Sequence, residues 1–261
     1  MWPMRYRVDY CVACNKGKVR TVNQDNFWCY NRYLQSVNDG LSEPLYGALF
    51  SYEQPVFAVF DGMGGEEKGE IASYIAAEIF DKFYYKLKDD NNFINICNEI
   101  NSAICNFAKE NTVSTMGTTG AFVMFGKKEI LVCNIGDSPI FRFSDNEITK
   151  ISFDHIQNQI LNGKPPLTQF LGIPESEFII QPYLAKGSYQ IGDRYLICSD
   201  GLTDMVELEE IQNIIGSSPT VEIGCKNLLE AALNNGGKDN ITIILCQINK
   251  ARNFIFRKGV K

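Results

Sequence analysis

An α+β domain with largely antiparallel sheets is the fold class this sequence predicts, and three observations carry that expectation. Short β-favouring runs come in consecutive groups, two pairs of amphipathic helical stretches separate those groups, and the regular strand–helix alternation of a doubly wound parallel sheet is absent. A chain of 261 residues suits one large domain with a sizeable core. Its 45% apolar and 21% charged residues are the balance of an ordinary folded chain rather than a disordered one.

The elements follow in order. Residues 4–14 and 27–33 carry aromatic and branched residues and read as strands, with the polar stretch 15–26 between them. Val56 to Phe60 is a continuous apolar run, the mark of a buried strand, and it ends at Asp61-Gly62. Ile71, Ile75, Ile79 and Phe83 form one apolar stripe on a helix from about Glu66 to Leu87. Phe93, Ile96, Ile100, Ile104 and Phe107 do the same for a second helix, with Asp89 to Asn92 as the polar break. Strands are expected over 119–125, 130–135, 140–143 and 148–151, the first two joined as a hairpin through Gly126-Lys127-Lys128. The proline-bearing stretch 154–187 is irregular. Strands over 194–198 and 241–248 then flank helices over 206–215 and 221–233, the latter stopped by Asn234-Asn235-Gly236-Gly237.

A net charge of −6 and a pI near 5.0 argue against nucleic acid as the main partner. No apolar run reaches the roughly eighteen residues of a membrane span, and Met1 to Tyr6 lacks a signal-peptide core. The expected location is the cytoplasm. Nine cysteines at irregular spacing do not make a complete disulfide framework. Cys97, Cys105, Cys133, Cys198, Cys225 and Cys246 fall in apolar stretches and read as buried thiols. Cys11 and Cys14 have the spacing of half a zinc site, but no second pair completes it, so they read as strand residues.

Five acidic motifs carry the chemistry: Asn23-Gln24-Asp25, Asp61-Gly62-Met63-Gly64-Gly65, Gly136-Asp137-Ser138, Ser199-Asp200-Gly201-Leu202 and Lys238-Asp239-Asn240-Ile241-Thr242. Asp61, Asp137 and Asp200 follow apolar strands, and Asp239 precedes one, so rigid strand ends hold each carboxylate. Converging aspartates repel one another unless a cation sits between them. Carboxylate, carbonyl and water are the hard ligands of Mg²⁺ and Mn²⁺. Taken singly, Asp25, Asp137 and Asp239 fit turn or capping roles. The ordered set points to a metal.

With these motifs in this order the chain resembles the metal-dependent serine/threonine protein phosphatase family (type 2C), particularly its compact bacterial members. The matching stretches are 19–27, 57–73, Met116-Gly117-Thr118-Thr119, Asn134 to Ser138, Leu167-Thr168-Gln169-Phe170-Leu171-Gly172, Asp193 to Leu202 and Asp239 to Thr242. The resemblance implies two β-sheets packed as a sandwich with helices on both outer faces, a four-layer α-β-β-α arrangement. It implies two Mn²⁺ or Mg²⁺ ions and a weaker third. Asp61 would bridge the two ions, the Gly62 carbonyl and Asp25 would serve the second, and Asp200 and Asp239 would hold the first. Asp137 with Asp200 resembles the third site, and Arg20 matches the arginine that grips substrate phosphate. A water acidified between the ions would attack phosphorus, with no phosphoenzyme.

Departures from the family pattern are specific. Met63 stands where animal members carry His, and Glu66 where bacterial members often do, so no imidazole is placed to protonate the leaving group. Pro139 replaces the arginine that usually follows Gly-Asp-Ser, and residues 154–166 are shorter than the usual flap. Asn23, Gln24, Thr118, Thr119, Asn240 and Thr242 read as structural. His155, the only histidine, follows Asp154, a helix N-cap candidate, and reads as local structure.

The expected domain spans 1–249, with a basic tail over 250–261 flanking Phe254-Ile255-Phe256. The expected activity is hydrolysis of phosphoserine and phosphothreonine in proteins, the targets of a serine/threonine kinase, by a monomer. A non-catalytic phosphatase-like binding domain and a metal-dependent phosphatase of small metabolites are the alternatives.

Overall fold

The computed structural model describes residues 6–63, 68–127, 129–158 and 165–251. Gly64, Gly65 and Glu66, and all of the tail from Arg252, lie outside the described residues.

Twelve strands form two sheets of antiparallel pairs. The first runs β3(Leu45–Phe50), β1(Tyr6–Asn15), β12(Ile241–Lys250), β11(Arg194–Cys198), β8(Ile140–Ser144), β9(Glu147–Lys150) in spatial order. The second runs β10(Tyr183–Ser188), β7(Glu129–Ile135), β6(Gly120–Phe125), β4(Val56–Met63), β2(Asp25–Cys29), with the two-residue β5(Gly117–Thr118) pairing the end of β4. The helices α1(Gly69–Phe83) and α2(Asp90–Glu110) cover the second sheet, and α3(Asp200–Thr203), α4(Leu208–Ser217) and α5(Val221–Asn234) the first.

Period-two alternation places each strand between two cores. Along β4, Val56, Ala58 and Phe60 pack with α1 and α2, while Phe57 and Val59 face the other sheet. Along β12, Ile241, Ile243 and Leu245 pack under α5, while Ile244, Cys246 and Ile248 face between the sheets. Strands buried on both faces read as unbroken apolar runs, and here they do. The four-layer sandwich expected from the resemblance is the observed architecture.

Several local expectations change. Asp89 is not part of a break but the N-cap of α2, its carboxylate accepting from Asn92 N–H at 3.1 Å. The first helix ends at Phe83 and tightens into a 3₁₀ turn, Tyr84–Lys86. β3 and β10, both at sheet edges, were not expected, and Ser199-Asp200 opens the single turn α3. Cys11 and Cys14, three residues apart on a strand, point to opposite faces and pack in different cores, which rules out a shared metal. Cys105 is half-buried rather than buried. Asp154 pairs with Lys150 instead of capping a helix, and no helix among the described residues begins there.

Candidate metal centre

The five aspartates meet at one end of the sandwich. Asp25 opens β2 and lies directly opposite Asp61 across the β2–β4 pair. Opposed residues in an antiparallel pair hold their Cβ atoms roughly 5 Å apart, so two carboxylates there repel. Asp137 follows β7, Asp200 begins α3 just beyond β11, and Asp239 immediately precedes the Asn240 that leads into β12. Asp61 feels all four of the others, Asp25 and Asp200 most strongly, then Asp137 and Asp239.

Backbone closeness brings Asp200 and Asp239 together. A Cβ on Gly201 would stand 1.9 Å from the Asn240 carbonyl oxygen, so only glycine lets α3 approach this near. On the opposite side, Gly62 N–H donates to the Gln24 carbonyl at 3.1 Å, and the Gly62 carbonyl faces Gly69, the first residue of α1.

Hydroxyl and amide groups lock the carboxylate-bearing backbone. Thr118 Oγ1 and Thr119 N–H both donate to the Asp61 carbonyl, at 2.9 and 2.8 Å, and Asp61 N–H donates to Thr119 Oγ1 at 3.1 Å. Asp25 Oδ2 accepts from Ser199 Oγ at 2.7 Å and from Thr242 Oγ1 at 2.8 Å. Ser199 is the N-cap residue of α3, yet its side chain caps nothing and reaches Asp25 instead. Asn240 secures the loop that carries Arg20: its Oδ1 accepts from Gln24 N–H at 2.8 Å, and its Nδ2 donates to the Lys16 and Val22 carbonyls at 2.9 and 3.0 Å. Gly136, beside Asp137, is bracketed by His155, whose N–H donates to its carbonyl at 3.0 Å and whose Nδ1 lies 3.3 Å from its nitrogen and oxygen. Burial holds this imidazole below its ordinary pKa, and it serves the turn rather than a substrate. Motif reading treated Asn240, Thr118, Thr119 and Thr242 as structural, and they are; it did not single out Ser199, or the bond from Thr242, as support for Asp25.

The electrostatics are strained in one direction. Burial pushes Asp25 up to about 7, its two hydroxyl donors working against that and Asp200 and Asp239 adding to it. Burial, then the four neighbouring aspartates, raises Asp61 well above the usual carboxylate range. Arg20, exposed at the rim, donates from Nη2 to Asp239 Oδ2 at 2.8 Å and is attracted by Asp61 and Asp200 as well.

This donor set fits hard divalent ions. It consists of carboxylates and a backbone carbonyl, with neither thiol nor imidazole competing, and its members repel one another enough to raise their own pKa values. Among the described residues, no three His, Cys, Asp or Glu side chains stand together as a finished ligand group. Asp239 is engaged on both oxygens, by Arg20 and by the Asn240 N–H at 2.9 Å. A doubly charged ion among these carboxylates would relieve their repulsion more than one guanidinium does.

Residues 47–235 match the protein phosphatase 2C family. The serine/threonine phosphatase stp of Listeria welshimeri is 24% identical over 259 residues, covering 90% of this chain and 94% of that protein. The protein phosphatase PhpP of Streptococcus pneumoniae is 28% identical over 263 residues, covering 93% and 98%. In structure, the catalytic domain of the serine threonine protein phosphatase PstP, solved with two manganese ions, superposes with a TM-score of 0.75 at 25% identity, covering 94% of this chain and 99% of that one. The chain belongs to the protein phosphatase 2C family.

Proposed function

We propose that this chain is a metal-dependent protein phosphatase that hydrolyses phosphoserine and phosphothreonine at the aspartate cluster. The observation that carries the reading is the convergence of Asp25, Asp137, Asp200 and Asp239 on Asp61, with Arg20 at the rim. Asp61 would bridge two Mn²⁺ or Mg²⁺ ions, with Asp200 and Asp239 on the first, Asp25 and the Gly62 carbonyl on the second, and Asp137 with Asp200 toward a third. Bound there, the ions supply Lewis-acid charge neutralisation and a water acidified to near-neutral pKa.

The chain's own residues do the rest. Arg20 presents a planar fork that can donate two N–H bonds to phosphate oxygens, neutralising charge that grows in the transition state. Ser199 and Thr242 fix the rotamer of Asp25, and the Thr118 hydroxyl with the Thr119 backbone N–H fixes the position of Asp61. No imidazole among the described residues is aimed at the leaving group, since His155 is turned toward Gly136.

The substrates proposed are proteins phosphorylated by serine/threonine kinases, in a signalling context in the cytoplasm, with the chain acting as a monomer. No helix among the described residues is long and apolar enough to cross a membrane. Residues 1–249 would act as one catalytic unit, and β12 runs to Lys250 at its boundary.

The test is hydrolysis of p-nitrophenyl phosphate by the purified chain, with Mn²⁺ against EDTA and Asp200→Asn as control. Turnover that needs Mn²⁺ and disappears in the variant is expected. Folded, metal-loaded protein without turnover would move the reading to a phosphatase-like binding domain.

A further inference from the structure

A cleft of about 920 Å³ is lined by none of the five aspartates. One wall is the second half of α2, with Cys105 and Lys109. The other is the segment 168–178, with Phe170, Glu175, Glu177 and Phe178. This cleft is built in advance. Asn101 of α2, buried, accepts at Oδ1 from the N–H groups of Gly172 and Ile173 at 2.7 and 3.0 Å, and donates from Nδ2 to the Ile173 carbonyl at 2.9 Å. A buried amide satisfied on both sides fixes the distance between the two walls.

Backbone pairing ties a wall of the cleft to the proposed catalytic end. Leu171 and Thr118 exchange both backbone hydrogen bonds at 2.9 Å, and Gly117–Thr118 pairs in turn with Met63–Gly62. Met63 is two residues beyond Asp61, about 7 Å along a strand. A polypeptide whose phosphate sits at the aspartates and which leaves across this edge meets the cleft.

Its charge is one-sided. Glu175 and Glu177 stand exposed on a turn in which the Glu177 and Phe178 N–H groups donate to the Pro174 carbonyl at 2.9 and 3.1 Å. Both carboxylates act on the Cys105 thiol across the cleft, adding to the upward push of burial, so their charge is felt inside it. Among the described residues neither forms a salt bridge. Lys109 is the single cation of the lining, against two carboxylates. Phe178, 51% exposed, and Phe170 offer apolar surface to the stem of a long cationic side chain.

We propose that this cleft receives the polypeptide flanking the phosphoresidue and selects substrates carrying Lys or Arg about three to five residues from it, a reach of roughly 10 to 17 Å in extended chain. The proposal rests on the protein-phosphatase reading and names the substrate class for that site. Small phosphate esters do not reach the cleft and are indifferent to it.

The test compares kcat/KM for two phosphothreonine peptides that differ only in Arg or Glu at those positions, placed on either side, with p-nitrophenyl phosphate as control, all with Mn²⁺. The Arg peptides are expected to be favoured roughly three- to ten-fold on the side that enters the cleft, mainly through KM, and the advantage to shrink in 0.5 M salt. Glu175→Lys with Glu177→Lys should cancel or invert that preference and leave p-nitrophenyl phosphate turnover unchanged, while Lys109→Glu should enlarge it. A charge-reversed variant that keeps the wild-type preference, with normal p-nitrophenyl phosphate turnover, overturns the cleft assignment and leaves the phosphatase reading standing. A wild-type chain inert toward every substrate overturns both.

Discussion

Arg20 and Asp239 lie 219 residues apart in sequence, and the guanidinium reaches the carboxylate at 2.8 Å. The pair joins two residues with proposed duties, phosphate grip for Arg20 and metal ligation for Asp239, in one contact. Removing Arg20 with Ala is expected to raise KM for a phosphopeptide about ten-fold, the worth of one or two charge-assisted hydrogen bonds, with a smaller fall in kcat. Arg20→Lys restores the charge without the fork and should recover only part of the loss. Initial-rate kinetics decide it: an unchanged KM in Arg20→Ala removes this residue from the phosphate site.

Asp61 should show opposite effects on activity and on metal-free stability. Asp61→Asn is expected to cut Mn²⁺-dependent turnover at least about a thousand-fold, because the proposed bridging carboxylate is lost. In EDTA the same variant should melt at a higher temperature than the wild type, since Asp25, Asp137, Asp200 and Asp239 all repel the native carboxylate. A variant less stable in EDTA would show that the cluster is not strained as described.

Acidity follows from the same crowding. Asp25, pushed up to about 7, and Asp61, also raised, hold protons in the folded state that the unfolded chain has already released above pH 4. The native state therefore binds more protons, and stability falls as pH rises from the unfolded value through the folded one. In EDTA the loss from Asp25 alone between pH 5 and 7 should be on the order of 2 kcal/mol, given about 1.4 kcal/mol per pH unit for one extra proton. With Mn²⁺ the trend should reverse, because the metal needs the ionised carboxylates. Urea unfolding across that range, with and without metal, reads both slopes.

Ser199→Ala and Thr242→Val each remove one of the two hydroxyls on Asp25 Oδ2. Each is expected to weaken Mn²⁺ binding about ten-fold, the usual cost of losing a group that orients a ligand. Calorimetric titration measures it. Equal affinity in both variants would take Asp25 out of the metal site.

Asp193, at the end of β11 opposite Asp200, offers a control. Buried at 3% exposure, it accepts from Arg142 at 2.7 and 3.0 Å and from the Gln190 N–H at 2.9 Å. Asp193→Ala should cost about 3 kcal/mol in urea unfolding, because it strands a half-buried guanidinium, and should leave Mn²⁺ affinity intact.

Much of this was legible in the residues themselves. The apolar run Val56–Phe60 and the run Ile241–Ile248 announced strands buried on both faces, and the acidic motifs at their ends announced the site. β10 was hidden because it is an edge strand, paired on one side and partly exposed, so its residues need not be apolar. β3, also at an edge, is apolar but interrupted by Gly47, which weakens a strand pattern. The hydroxyl partners of Asp25 were hidden for another reason: they lie 174 and 217 residues away, and only the three-dimensional arrangement of β2, β11 and β12 brings them together. Local pattern names the ligand; pairing across the chain names its support.

The placement of β12 fixes the order in which the protein can be completed. It fills the gap between β1 and β11 and delivers Asp239 and Thr242 to the site. On the ribosome it emerges after every other element described, so β1 and β11 wait for a neighbour made last. Until then the nascent chain holds the first sheet in two unjoined parts and Asp25 without Thr242. The proposed site is then completed in a single late step, and a translation product that stops before Asp239 lacks both that carboxylate and the Thr242 hydroxyl on Asp25.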